Sequence, residues 1–158
     1  MSSVLGVDKD TIDKVCHGKW SYNIQTVDGL IPEGASVDKR CSVHLTNGKA
    51  KVLLEKYGSP VFTINEFGKG KGIYLSTFET NPLNNRLLLN ILLFAGNVPL
   101  DQKYITDNPN MECAFFPADN KLIVINNSDV QQSTSIKTEN GELHFENIAP
   151  FDTVIKKL

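Results

Sequence analysis

The stretch from Ser59 to Gly96 constrains the fold more than any other part of the chain. Val61-Phe62-Thr63-Ile64-Asn65-Glu66-Phe67 is rich in β-branched and aromatic residues, as a strand is, and Ile73-Tyr74-Leu75-Ser76-Thr77-Phe78 repeats that composition. Between them stands Gly68-Lys69-Gly70-Lys71-Gly72, whose glycines supply the positive φ angles of a tight hairpin. A helix follows with both ends marked. Asn81 is a good N-cap, and Pro82 falls at the first helical position, where its missing N–H costs nothing. Gly96 is placed for the left-handed residue beyond the last turn. Between these ends Leu83, Leu87, Leu88, Leu89, Ile91, Leu92, Leu93, Phe94 and Ala95 cover most of the helix circumference. A helix that is apolar nearly all round is buried on more than one side, so this one is expected between a sheet and a second packed layer.

Upstream the signals are shorter. Asp8 or Asp10 is expected to cap a helix through Thr11-Ile12-Asp13-Lys14-Val15, and Trp20-Ser21-Tyr22-Asn23-Ile24 reads as a strand. Arg40-Cys41-Ser42-Val43-His44-Leu45 and Ala50-Lys51-Val52-Leu53-Leu54 read as two more strands, joined by the turn signal Asn47-Gly48. The segment from Asp28 to Asp38 reads as a loop.

After Asn97-Val98-Pro99 the texture changes. Five short strands, at 112–116, 122–125, 133–136, 142–145 and 153–155, are separated by Asp119-Asn120, Asn127-Ser128-Asp129 and Asn140-Gly141. That spacing predicts a small all-β sandwich or barrel. The fold class is therefore α/β followed by all-β, with residues 1–99 in the first domain, 100–158 in the second, and a boundary near Pro99 to Lys103.

Composition removes several function classes. Sixteen basic and 18 acidic residues give a formal net charge of −2 with no basic stripe, so no nucleic-acid partner is expected. The longest apolar runs, Leu87–Leu89 and Ile91–Ala95, fall far short of the roughly 20 residues that span a bilayer. No export signal stands at the amino terminus, and a cytoplasmic setting is the default. Cys16, Cys41 and Cys113 are too few and too scattered for a disulfide framework or a metal knuckle. Asn126-Asn127-Ser128 matches a glycosylation acceptor, a pattern that often arises by chance.

No self-sufficient catalytic set emerges. His17, His44 and His144 stand singly, without the spacing that holds zinc, and no Gly-x-Ser-x-Gly elbow is present. Neither a metal nor a cofactor is expected. Lys69 and Lys71, among glycines, are candidates for binding an anion, although they precede a strand rather than a helix N-terminus. Glu79, Thr80, Asn81 and Asn84 lie where a strand's carboxyl end meets a helix N-terminus, the edge at which α/β domains place ligands. They are candidates to face a sugar or phosphate, and simple helix capping is the competing account.

Three segments taken together point to a family. They are Asn65-Glu66-Phe67-Gly68-Lys69-Gly70-Lys71-Gly72-Ile73-Tyr74-Leu75-Ser76, the helix at Asn84-Asn85-Arg86-Leu87-Leu88-Leu89, and Lys121-Leu122-Ile123-Val124-Ile125-Asn126-Asn127-Ser128. In this order, with Leu5-Gly6-Val7-Asp8 before them and Ala149-Pro150-Phe151-Asp152-Thr153 after, they resemble the carboxyl-terminal third of the galactosyl-N-acetylhexosamine (lacto-N-biose or galacto-N-biose) phosphorylases. The resemblance implies an amino-terminal barrel, a central amidotransferase-like α/β domain and a terminal β domain. It implies cleavage of β-linked galactosides by inorganic phosphate to galactose 1-phosphate with inversion, with the acid carried on the barrel. No barrel is present in this chain, so it implies no catalytic residue here. On this reading the chain is a supporting portion of a glycoside phosphorylase, a glycosyltransferase-type enzyme, with the parent's barrel and further copies of the chain as partners.

Two other classes compete. An independent carbohydrate-binding module would need exposed aromatic platforms; Phe115, Phe116, Phe145 and Phe151 are available, but their apolar setting suggests core. A small amidotransferase-like enzyme would need a nucleophile, for which Cys16-His17-Gly18 is the one candidate, without the small-residue context of a strained elbow.

Overall fold

The computed structural model of the chain describes residues 2–9, 22–46 and 48–158. The expected helix over Thr11–Val15, the Cys16-His17-Gly18 candidate and Trp20 lie outside the described residues. The chain divides into two compact units, Met1–Val98 and Pro99–Leu158.

In the first unit a single helical turn, α1 (Ser2–Leu5), leads into β1 (Val7–Lys9), which pairs antiparallel with β2 (Val43–Leu45). A second sheet, in the order β3-β4-β5, holds β3 (Lys51–Lys56), β4 (Ser59–Phe67) and β5 (Gly70–Leu75), all antiparallel. The expected hairpin across Asn47-Gly48 does not form, because β2 pairs with β1 and β3 pairs with β4. The turn that matters is Tyr57-Gly58, with φ of 53° and 70°, the double positive φ of a type I′ hairpin turn. The glycine hairpin between β4 and β5 does form, but more tightly than the glycine run suggests. Its turn is only Gly68-Lys69, with Gly68 at φ 61°, and Gly70 and Gly72 already pair with Phe67 and Asn65. The expected strand at 20–24 is reduced to one parallel bridge, Ile24 to Val52. No run of parallel strands is present among the described residues, where the first unit consists of small antiparallel sheets and one long helix.

Strand β4 is the centre of this unit, buried continuously from Ser59 to Asn65. Side chains alternate along a strand, so a continuous run means that both faces are covered. One face carries Ser59 and Asn65. The Ser59 hydroxyl donates to Val43 O and accepts from Val43 N, while Asn65 Nδ2 donates to Ser3 O and Val4 O and so caps the carbonyl end of α1. The other face carries Phe62 and Ile64, both fully buried.

Helix α2 (Pro82–Ala95) starts as its sequence requires: Asn81 is extended, and its side chain accepts from Asn84 N. Its C-terminus differs from expectation. Gly96 has φ −78°, and Asn97, at φ 56°, takes the left-handed position. Val98 N donates to Leu93 O and Asn97 N to Phe94 O, the paired bonds of a Schellman motif with asparagine in place of glycine. Burial is one-sided. Asn84, Leu87 and Ile91 face inward, whereas Leu88 and Leu92 are 39% and 62% exposed. Within this chain, then, the second apolar face of the helix is open.

The second unit contains β6 (Met111–Phe116), β7 (Lys121–Asn126), β8 (Gln132–Thr138), β9 (Gly141–Ile148) and β10 (Thr153–Lys157). Its sheets run β10-β7-β6 and β8-β9, all antiparallel, and no closed barrel forms among the described residues. Met111, Leu122 and Val124 of the first sheet share one core with Ile136, Phe145 and Ile148 of the second. Asn126 ties the ends together: its Nδ2 donates to Val130 O, Ile148 O and Ala149 O, and its Oδ1 accepts from Ser128 N and Ser128 Oγ. A fully buried asparagine held in this way has no access to a glycosylating enzyme. Tyr104 stacks on Phe115 at 4.1 Å and Phe145 is buried, whereas Phe116 and Phe151 are exposed rather than in the core.

Candidate functional site

At the junction of β5 and α2, hydrogen bonds to the loop before β2 fix the chain. Ser76 Oγ accepts from Arg40 N, and Thr77 Oγ1 accepts from Asp38 N and donates to Asp38 O. Asn84 is 2% exposed, donating from Nδ2 to Glu79 O and accepting at Oδ1 from Ser36 N. Asn81 Oδ1 takes Asn84 N at 2.9 Å. Asn84 is thus a buried fastener and Asn81 caps the helix, while Glu79, Thr80 and Asn81 stand exposed at the surface.

The two lysines of the glycine hairpin separate. Lys69 is exposed in the turn. Lys71 donates to Asn97 Oδ1 and lies over the Phe94 ring, 5.0 Å from its centre. Both contacts are at the carboxyl end of α2, where a cation complements the helix dipole. Lys71 is thus engaged at the end of α2, while Lys69 lies at the surface.

A close pairing of hydroxyl and imidazole lies elsewhere, on the β8–β9 hairpin. Ser135 and His144 are opposed across the strands, and Ser135 Oγ is 2.9 Å from His144 Nδ1. Asp107 joins them: its Oδ1 accepts from Thr134 Oγ1 at 2.7 Å and Ser135 N at 2.8 Å. Partial burial pushes the Asp107 carboxyl up, but bonds from Ser135 N, Thr134 Oγ1 and Asn108 N outweigh it and hold the group below the usual aspartate range. Sequence reasoning missed this cluster. The turn after Thr138 fixes the register that brings Ser135 opposite His144, whereas Asp107 belongs to an irregular segment with no periodic signal.

The chain folds as two strand-rich units, and comparison with known proteins identifies its family. Residues 1–99 match the model of the lacto-N-biose phosphorylase central domain, and residues 104–156 that of the lacto-N-biose phosphorylase C-terminal domain. The chain belongs to the lacto-N-biose phosphorylase family. It is 42% identical over its whole length to a D-galactosyl-β-1→4-L-rhamnose phosphorylase of Lachnoclostridium phytofermentans, of which it covers 22%. Over 98 residues, 60% of the chain, it is 33% identical to a 1,3-β-galactosyl-N-acetylhexosamine phosphorylase of Bifidobacterium longum subsp. longum, of which it covers 13%. The chain thus spans about a fifth or less of the length of these relatives. A β-galactosidase from Rahnella sp. R3 resembles it in fold, with a TM-score of 0.50 at 16% identity over 99% of this chain and 25% of that one.

Proposed function

We propose that this chain is the non-catalytic carboxyl-terminal portion of a phosphorylase acting on a β-galactoside, with inorganic phosphate as co-substrate and galactose 1-phosphate as product. The observation that carries this reading is the continuous match to both family domains, together with 42% identity along the whole chain to a galactosyl-rhamnose phosphorylase. Residues 1–99 are read as the later part of an amidotransferase-like α/β domain and 100–158 as the small terminal β domain. The chain supports a barrel active site supplied by the rest of the enzyme, and the open face of α2 is a contact with other parts of the assembly, including further copies of the chain.

The physical basis is that the family resemblance implies a catalytic acid carried on the barrel. Protonation of the leaving oxygen contributes about 10²–10⁴-fold to such a reaction, and positioning of the sugar adds to that. The test has two arms. The purified chain, given phosphate with either galactosyl-β-1→4-L-rhamnose or a β-1,3-galactosyl-N-acetylhexosamine, is expected to release no galactose 1-phosphate. A chimera in which this chain replaces the matching segment of the 42%-identical relative is expected to keep phosphorolysis. Turnover by the chain alone, or a folded but inactive chimera, would count against the reading.

A further inference from the structure

The outer side of the β8–β9 hairpin holds a pocket. It is a partly open hollow of about 200 Å³, formed where Asp107 meets residues 133–135 of β8 and residues 144–146 of β9. Its polar groups are held in place before any ligand arrives. Asp107 is bound by Thr134 and Ser135, and its own N–H donates to Ser135 O at 3.1 Å. His144 is oriented through Nδ1 by the Ser135 hydroxyl, which leaves Nε2 available as donor or acceptor according to tautomer. Glu146 is exposed on the same rim.

The chemistry of these groups restricts the occupant. An anion such as phosphate would meet the carboxylates of Asp107 and Glu146, and like charges repel. No group of three or more His, Cys, Asp or Glu among the described residues is arranged to hold a metal ion. The volume lies below the roughly 300–1,000 Å³ that encloses a drug-sized ligand, so an oligosaccharide cannot be enclosed there. A small neutral molecule rich in hydroxyls suits all three conditions. Carboxylate oxygens accept from two neighbouring hydroxyls at once, and serine and imidazole each bond in either direction.

We propose that this pocket binds a single monosaccharide ring through a pair of adjacent hydroxyls, with Asp107, His144 and Glu146 as the recognising groups. This assignment does not rest on the phosphorylase reading above. The isotope-labelled chain, titrated with D-galactose, L-rhamnose or N-acetyl-D-glucosamine, reports it through backbone amide and His144 ring signals. At least one sugar is expected to shift residues 107, 133–135 and 144–146 saturably, with an affinity in the millimolar range typical of a small polar site. His144→Ala and Glu146→Gln, both at exposed positions, are each expected to weaken that binding roughly tenfold, the loss of about 1.4 kcal/mol. Lys121→Ala, on the other sheet, leaves it unchanged. The proposal is overturned if none of the three sugars gives a saturable shift, if the two variants bind as the parent does, or if glycerol or inorganic phosphate produces the same response. No galactose 1-phosphate is measured, so failure here is distinct from failure of the phosphorylase reading.

Discussion

Tyr57 shows how one residue can hide a turn. The β3–β4 connection is a two-residue turn with both φ angles positive, yet its first position is a tyrosine, which is 86% exposed. A non-glycine residue held left-handed costs on the order of 1 kcal/mol, and Asn-Gly is the pair that best fits a type I′ turn. Tyr57→Asn is therefore expected to stabilise the chain by about 0.5–1 kcal/mol, seen as a higher urea midpoint with unchanged slope. An unchanged or lower midpoint would show that Tyr57 makes a compensating contact. The same residue explains a misreading of the sequence. Asn47-Gly48 carries the favoured turn dipeptide and Tyr57-Gly58 does not, so local chemistry pointed to the wrong pair. Pairing of β2 with β1, residues nearly forty positions away, was a tertiary choice with no local mark.

At the scale of elements, the glycine run of β4 and β5 separates into distinct tasks. Gly68 makes the turn. Gly72 lies inside β5, where an added Cβ would stand 2.0 Å from Val4 O and 2.7 Å from Val4 C, both backbone atoms of α1. Gly70 would meet only Phe67 O, at 3.9 Å. Gly72→Ala must therefore push α1 off the sheet, and with it the capping bonds from Asn65, at a cost of about 1–3 kcal/mol or more. Gly70→Ala is expected to stay within about 0.5 kcal/mol. Thermal unfolding of the two variants side by side separates these accounts, and equal effects would refute the close-approach role. Strands β3 to β10, the glycine hairpin and the helix with its N-cap were legible because each carries a local periodicity or cap. The role of Gly72 was not, because it depends on a partner segment almost seventy residues earlier. The pocket at Asp107 and His144 was invisible for the same reason.

For the whole molecule, the sequence foresaw a helix with too much apolar surface for one layer, and the structure shows where the surplus lies. Leu87 and Ile91 are inside, while Leu88 and Leu92 are open and Val98 beyond them is 40% exposed. A second open apolar strip crosses the β10-β7-β6 sheet, where Ile155 pairs with Ile123 and Ile123 with Ala114 on the outward side. Monomeric proteins rarely expose contiguous apolar patches beyond a few hundred Å². Exposed apolar side chains in two places, on α2 and on the β10-β7-β6 sheet, favour association of the isolated chain. The helix supplies the larger protruding side chains, so Leu88→Ser with Leu92→Ser is expected to shift sedimentation toward the monomer and to lower binding of a hydrophobic dye. Both changes lie outside the buried face, so the unfolding midpoint should move little. If Ile155→Thr dissolves the association instead, the sheet is the contact and the helix face is covered only in the full-length enzyme. A parent chain that is monomeric at high concentration and binds no dye would mean that neither surface needs a cover, and the open apolar faces would no longer argue for a larger assembly.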